Sequence, residues 1–464
     1  MANAVAERVT EHQGQQSADR METIKPAGWR QSFAVYSDRR VVLVLLLGFS
    51  SGLPLLLTYT TLSAWLATVG VRRAAIGAFA FVGIPYAFKF VWSPLLDRLP
   101  PPLPLGRRRG WGISIQIVLI AAILALGAGD PKHHLAMMGA LALVVAFLSA
   151  SQDIVIDAWR VEILPLDLQG PGAGMIQTGY RVAMLVSGAG TLVIAARAGW
   201  FAAYATTAAL LAVGILVFLF GPEPHVTREA AVSFPPSAAS AHGPAFRQWL
   251  STAVIGPFAD FMRRPIWPVI LLFVLGYKLG EAMAGIMATP LYISLGFSLD
   301  EIAAMSKLVG FFATVIGALA GGVVTARFGI LRSLMVCGLL QSAGNLFYVL
   351  QVVGGHKLPY LALCVTAENV TGAMAGTALV GYLSSLCSPA FTATQYALLS
   401  SLAVVGRTMV ASSSGVLAER VGWVHFFLLT TVVTLPALLL LVWIERQEAA
   451  HPGQPSSLPA LTKT

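Results

Sequence analysis

One apolar segment carries three carboxyl groups and a guanidinium close together, at Asp153, Asp157, Arg160 and Glu162. At 100° per residue of an α-helix, Asp153, Asp157 and Arg160 share one stripe, whereas Glu162 points away near the helix end. A charged side chain at the bilayer centre costs about 2.5–3.5 kcal/mol on insertion scales. The stripe therefore predicts a paired or hydrated interior, such as a pathway for a substrate or protons, and we interpret the chain as a transporter.

The composition is that of a polytopic membrane protein. Of 464 residues, 56% are hydrophobic and only 11% are charged, whereas soluble domains carry about 25% charged residues. The net charge of +9 does not indicate nucleic-acid binding, because no basic patch is interleaved with aromatic residues. No cofactor and no metal site are expected.

Twelve segments are long and apolar enough to span a bilayer, which needs about 20 residues per helix. The sequence thus predicts an all-α membrane protein with helices near 41–68, 75–96, 112–129, 134–164, 172–196, 200–221, 266–296, 301–326, 331–353, 358–387, 391–418 and 423–444.

The predicted helices form two six-helix bundles of nearly equal length, at 41–221 and 266–445. Lys and Arg are in roughly threefold excess on the side of the tails 1–40 and 446–464, so both termini are expected in the cytoplasm. The linker 222–265 contains an apolar repeat at helical spacing over 246–261, which predicts an amphipathic helix on the cytoplasmic face. A simple tether between the halves is the alternative.

Several runs together resemble the AmpG-type muropeptide permeases of the major facilitator superfamily. The resemblance is dense in the first half and thin in the second, and its runs are Gly48–Pro54, Pro85–Arg98, Gly106–Trp111, Ser151–Trp159 and Gly179–Arg181. It implies a major facilitator fold and proton-driven import of N-acetylglucosaminyl-anhydro-N-acetylmuramyl peptides for cell-wall recycling. It further implies a monomer in the bacterial inner membrane and an indirect link to β-lactamase induction. The family is also similar to acetyl-CoA transporters.

The loop after the second predicted helix resembles the major facilitator signature. In that signature an Asp docks against a helix N-terminus of the other half, which stabilises one conformation. The resemblance assigns this latch to Asp97, Arg98 and Arg107. The chain departs from the signature by a proline-rich insert before Gly106 and by Ser93 in place of the leading Gly. Retention of positive charge in the cytoplasm alone also explains the arginines.

Three buried carboxyl groups are candidate proton carriers, Asp153, Asp157 and Glu368. For Asp153 and Asp157, the alternative is an ion pair between Asp157 and Arg160 that only stabilises their helix. Candidate substrate-binding residues are polar or aromatic side chains at mid-membrane depth, namely Tyr86, Lys89, Arg160, Gln177, Tyr180, Arg181, Lys278, Glu281 and Gln395.

Each of these candidates has a structural alternative. Lys89 can neutralise Asp153 or Asp157, and Tyr86 can be a packing residue. Lys278 and Glu281 lie one turn apart and can pair with each other. Arg181 needs an anion, either Asp153, Asp157 or a substrate carboxylate, and Arg407 is expected to pair across the bundle.

Other function classes fit poorly. An intramembrane enzyme would need a nucleophile and base or a metal-binding motif, and none is recognisable. A receptor would need a soluble output domain, for which the linker is too short. The remaining alternative is a major facilitator carrier of another solute, such as acetyl-CoA, a sugar or an exported drug.

Overall fold

The structure, a computed structural model, describes residues 29–72, 75–76, 79–224 and 255–450, and every regular element within these ranges is helical. The helices of the first half are α1 Trp29–Ala34, α2 Arg39–Thr58, α3 Thr60–Thr68, α4 Ile84–Phe88, α5 Ser93–Arg98, α6 Arg107–Gly127, α7 Leu135–Ile163, α8 Leu166–Leu185, α9 Thr191–Leu210 and α10 Ala212–Phe220. Those that follow are α11 Gly256–Met262, α12 Trp267–Gly276, α13 Leu279–Ser294, α14 Leu299–Ala304, α15 Gly310–Phe328, α16 Ile330–Gly344, α17 Leu346–Gly354, α18 Leu358–Ser385, α19 Thr392–Ala411, α20 Ser414–Val432 and α21 Leu435–Ala450.

Nine helical stretches among the described residues are long and apolar enough to cross a membrane. One of them, Leu166–Phe220, has 55 residues, which at 1.5 Å per residue is more than twice the bilayer core of about 30 Å. It is broken at Gly199, whose φ of +86° is left-handed. Gly422 breaks α20 in the same way, with φ +74°. These breaks agree with the expected helix ends, while the total of twelve spans stays a prediction.

The second predicted span, 75–96, differs from the continuous helix that was expected. Its described part is a 3-10 turn at Phe79–Gly83, then α4, a second turn at Lys89–Val91 and α5. Pro85 and Pro94 stand in the first turns of α4 and α5. Because proline lacks an N–H and clashes with the preceding turn, each one begins a new helix rather than continuing the old one.

Hydrophobic packing follows the two halves. One of the four apolar clusters has its buried residues in the first half and one in the second. A third combines second-half residues with Phe261 of α11, and the fourth joins first-half residues to Ala393 and Ala397 of α19. The halves meet where α8 packs on α15 and α18, and where α5 and α7 pack on α19.

Glycines allow the closest approach between the halves. A Cβ on Gly174 of α8 would lie 2.6 Å from the Ala318 carbonyl oxygen of α15, so a larger residue there would separate these helices. Tyr36, which follows α1, donates a hydrogen bond of 2.6 Å to the Leu319 carbonyl. The N-terminal segment thereby also closes this end of the interface.

The predicted linker helix is only partly within the described residues. Positions 246–254 of the apolar repeat lie outside them, and α11 forms the remainder, with Pro257 in its first turn. The helix contacts α19.

Candidate functional site

The stripe on α7 faces inward, and Asp157 lies between two cations. Its carboxylate oxygens are 3.6 Å from Lys89 Nζ and 3.6 Å from Arg160 Nη2. Lys89 reaches it from the 3-10 turn Lys89–Val91. Both alternatives raised for these residues, internal pairing of Lys89 and an ion pair of Asp157 with Arg160, are therefore present as contacts in this conformation.

Arg160 also joins the two halves. Its side chain is fully buried, and Nη1 donates a hydrogen bond of 3.0 Å to Ser384 Oγ on α18. The guanidinium carbon lies 5.1 Å from the ring centre of Tyr396 on α19, a cation–π contact. Arg160 thus packs in the interface between the halves.

Asp153, one turn before Asp157, has a different environment. Ser51 Oγ of α2 donates to its Oδ1 at 2.5 Å, and no described cation lies within ion-pair distance of it. Of the two candidate tyrosines nearby, Tyr86 packs against a first-half apolar cluster and Tyr180 is half-buried on α8. Asp153 is therefore a carboxyl held by a hydroxyl rather than by a charge.

A cavity of about 330 Å³ lies between the halves and brings most of the remaining candidates together. Its lining includes Gln177 and Arg181 from α8, Lys278 and Glu281 from the seventh predicted span, Glu368 from α18 and Arg407 from α19. Periodicity and polarity predicted the first five as site residues. Arg407 was expected to pair across the bundle, and that was wrong, because among the described residues it has neither an ion pair nor a hydrogen bond.

Lys278 lies at the break between α12 and α13, directly before the first residue of α13. Its Nζ forms an ion pair with Glu281 Oε2 and donates a hydrogen bond of 2.8 Å to the Gly372 carbonyl. Gln341 donates to the same Glu281 oxygen. The pairing expected as the alternative is thus present, and it neutralises both groups within the cavity wall.

Gln395 lies away from this cavity, contrary to the expectation of a substrate contact. Its side chain is buried in the first turn of α19, where Oε1 accepts from the Ser388 backbone N–H at 2.7 Å. Nε2 donates to the Pro257 carbonyl and to Asp260 of α11. Its amide is therefore fully engaged in attaching the linker helix to α19.

A second charged cluster lies at the end of the bundle where α5 meets α19. Asp97 Oδ2 accepts hydrogen bonds from the Thr394 backbone N–H at 2.9 Å and from Thr394 Oγ1 at 2.7 Å. Oδ1 accepts from the Ala393 N–H at 3.3 Å and forms a 2.7 Å ion pair with Arg108. A carboxylate at a helix N-terminus is stabilised by the unpaired N–H groups and by the helix dipole.

The arginines of this cluster have separate partners. Arg108 is buried and pairs with Glu162 at 2.6 Å as well as with Asp97. Arg107 pairs with Glu162 at 3.0 Å, and Arg98 lies over the Phe391 ring, 4.8 Å from its centre. The sequence analysis did not include Arg108 or Glu162 in the latch. The signal available for Glu162 was that it points away from the α7 stripe.

The Asp97 carboxyl is held in its charged form. Burial alone would raise its pKa, but Arg108 and Arg107 beside it outweigh burial and keep the pKa below its usual range. A depressed pKa means that this contact is present around neutral pH and is lost only when the pH falls through that low value.

Comparisons with known proteins identify the family. The profile described as Major Facilitator Superfamily matches residues 270–463, and the one described as Acetyl-coenzyme A transporter 1 matches 40–187. The anhydromuropeptide permease of Escherichia coli (strain K12) is 41% identical over 415 residues, which cover 89% of this chain and 81% of that protein.

Two solved structures have a similar fold. The human organic anion transporter MFSD10 has a TM-score of 0.61 at 17% identity and matches 89% of this chain and 100% of that one. A double tryptophan mutant of XylE has a TM-score of 0.63 at 12% identity, with coverages of 88% and 95%. By the extent of its identity with the Escherichia coli protein, this chain belongs to the anhydromuropeptide permease family of the major facilitator superfamily.

Proposed function

We propose that this protein imports N-acetylglucosaminyl-1,6-anhydro-N-acetylmuramyl peptides from the periplasm into the cytoplasm together with protons, by alternating access. The observation that carries the proposal is the 41% identity with an anhydromuropeptide permease over 89% of the chain. A polar cavity between the halves, with side chains from both, supports it, because alternating access requires a site that both halves share.

The contacts between the halves support a periplasm-open state. Three of these contacts lie toward the end that the charge distribution assigns to the cytoplasm. They are the hydrogen bonds of Asp97 with the start of α19, the hydrogen bond of Arg160 with Ser384 and the close approach of Gly174 to Ala318. The cavity lies beyond them, and Gln177 Nε2 donates to Thr377 Oγ1 of α18 at 3.2 Å on its wall. A substrate would therefore enter from the periplasmic side.

Proton coupling is assigned to Asp153 and Glu368, with Asp157 as the third carrier candidate. Neither of the first two has a cation within ion-pair distance among the described residues. Protonation of such a group removes a charge that is costly to enclose. Closure of the substrate-loaded protein is then favoured when the proton is bound.

Uptake of radiolabelled N-acetylglucosaminyl-anhydro-N-acetylmuramic acid tests the proposal in cells that lack their own permease. We expect accumulation above the external concentration, and we expect a protonophore to reduce it to the equilibrium level. Uptake that persists with the protonophore contradicts proton coupling. A protein that is present in the membrane and transports none of the compound contradicts the substrate.

Acetyl-CoA is the second candidate solute, since the profile of an acetyl-coenzyme A transporter matches residues 40–187. Excess unlabelled acetyl-CoA distinguishes the two. If acetyl-CoA reduces muropeptide uptake, it is favoured as a solute of this protein. If muropeptide uptake proceeds at its full rate in the presence of acetyl-CoA, acetyl-CoA is excluded.

Filling the cavity at Gly376 is expected to reduce transport. A Cβ at Gly376 would lie 3.4 Å from Gln177 Oε1 and 3.8 Å from Lys278 Nζ, so Gly376→Leu places a side chain between the two halves of the site. We expect the uptake rate to fall by roughly tenfold or more, equivalent to about 1.4 kcal/mol. Initial rates normalised to membrane protein measure the effect.

Gly190→Leu is the matched control for this variant. A Cβ there meets only Val186 Cγ1, at 3.9 Å, and Gly190 is not in the cavity wall. If both variants lose the same fraction of the uptake rate, the loss results from replacing a helical glycine by leucine and not from filling the cavity.

A further inference from the structure

We propose that Arg181 and Arg407 form a two-point clamp that binds carboxylates of the peptide stem and thereby increases the affinity for substrates whose stem is anionic. This inference rests on the proposed function and deepens it, because it assigns recognition of the stem to two residues. It adds Arg407, which no motif of the sequence indicates, to the substrate site.

The two guanidinium groups share one cavity and come from different halves of the protein. Arg181 lies on α8 and Arg407 on α19, and both line the 330 Å³ space between the halves. Arg181 is solvent-accessible and Arg407 partly so. A ligand that contacts both would therefore connect the two halves directly.

Neither guanidinium has a counterion among the described residues. The ion pairs of the described chain account for Lys89, Arg107, Arg108, Arg160 and Lys278, but not for Arg181 or Arg407. A guanidinium within a membrane protein needs an anion or a polar partner to offset its desolvation. These two positions therefore have hydrogen-bond donors available for a ligand.

The other charges of the cavity do not supply that anion. Glu281 is already bound by Lys278 and Gln341, and Glu368 forms no ion pair with either arginine. With Glu368 ionised the lining carries one surplus positive charge, and with Glu368 protonated it carries two. The cavity thus complements an anionic solute.

Guanidinium geometry favours carboxylates over sugar hydroxyls. Arginine presents planar, paired N–H donors that match a carboxylate in a bidentate manner. The disaccharide has amide and hydroxyl groups, which neutral partners such as Gln177 and Asn369 in the same lining can bind. We therefore assign the stem, rather than the sugars, to the two arginines.

The test compares two substrates in one set of variants. The first is the disaccharide with a peptide stem whose carboxylates are free, and the second is the same compound with these carboxylates converted to amides. For Arg407→Gln we expect the KM of the free acid to rise roughly ten- to hundredfold, as for the loss of a charge-assisted hydrogen bond. We expect the KM of the amide to change by less than about threefold. Arg181→Gln should behave in the same way.

Two further variants separate recognition from folding. Arg407→Lys retains the charge without the bidentate geometry, so it should recover part of the free-acid affinity. Arg197→Gln removes an exposed arginine outside the cavity and should change neither KM. Equal KM changes for both substrates in Arg407→Gln would overturn the clamp while leaving the proposed function intact. Absence of uptake of both substrates by the unmodified protein would instead overturn the proposed function.

Discussion

Asp153→Asn is expected to abolish gradient-driven accumulation while substrate exchange continues. Asparagine keeps an oxygen that can accept the hydrogen bond from Ser51 Oγ, which is 2.5 Å from Asp153 Oδ1, but it cannot take up or release a proton. One charge moved through 100 mV corresponds to about 2.3 kcal/mol, or roughly fiftyfold in concentration. The variant should lose a factor of this order in the accumulation ratio.

Two assays in membrane vesicles distinguish loss of coupling from loss of transport. Accumulation under an imposed proton gradient should fall to the external concentration. Counterflow, the exchange of external labelled substrate for internal unlabelled substrate, should remain, because it does not require release of the proton. Asp167→Asn, at an exposed carboxyl in the first turn of α8, is the control and should retain both activities.

The comparison with Asp157 makes the prediction specific. Asp157 has two cations at 3.6 Å, so its removal leaves Lys89 and Arg160 without their anion and should reduce the amount of folded protein. Full gradient-driven accumulation by both Asp153→Asn and Asp157→Asn would contradict the proposed role of the α7 stripe.

Much of the site followed from the sequence because a membrane restricts where polar side chains can lie. The positions of Asp153, Asp157 and Arg160 were predicted because helical periodicity fixes their common face. Gln177, Arg181, Lys278, Glu281 and Glu368 were predicted as site residues because side chains of these types at mid-membrane depth must face the protein interior. The cavity that they line together agrees with this reasoning.

The errors have physical causes that periodicity does not reveal. Gln395 is as polar as the other candidates, but its partners are set by where α19 begins and by α11. The partner of Asp153 is a serine, a residue that also occurs in membrane helices for close packing. The absence of a partner for Arg407 depends on how the two halves meet, which no single-helix pattern contains.

Asp97→Asn is expected to open the contact between α5 and α19 and to shift the protein away from the conformation described above. The substitution removes the charge that binds Arg108 at 2.7 Å and accepts hydrogen bonds from the Ala393 and Thr394 N–H groups. Breaking a buried ion pair costs about 3–5 kcal/mol. Arg108 keeps Glu162 as an anion, so the fold should persist while the conformational equilibrium moves.

Thiol labelling from the cytoplasmic side measures the shift. Thr325→Cys, in a background without the native cysteines, is a suitable reporter because Thr325 is only 4% exposed and packs against Gly170 of α8. A loss of about 3 kcal/mol from the stability of the cytoplasm-closed state should make labelling roughly a hundredfold faster. The ratio of the labelling rate in the variant to that in the protein with Asp97 should be the same between pH 6 and 8. The low pKa of Asp97 keeps its carboxylate ionised in that reference protein throughout this range.

Asp167→Asn again serves as the control, since it removes an exposed carboxylate near the same end of the bundle. Unchanged labelling in Asp97→Asn would mean that the close α8–α15 packing around Gly174 suffices to hold the closed state, and that Asp97 does not act as a latch. Faster labelling in both variants would attribute the effect to net charge at this surface. Only a selective increase in Asp97→Asn supports a latch in which one carboxylate joins the two halves.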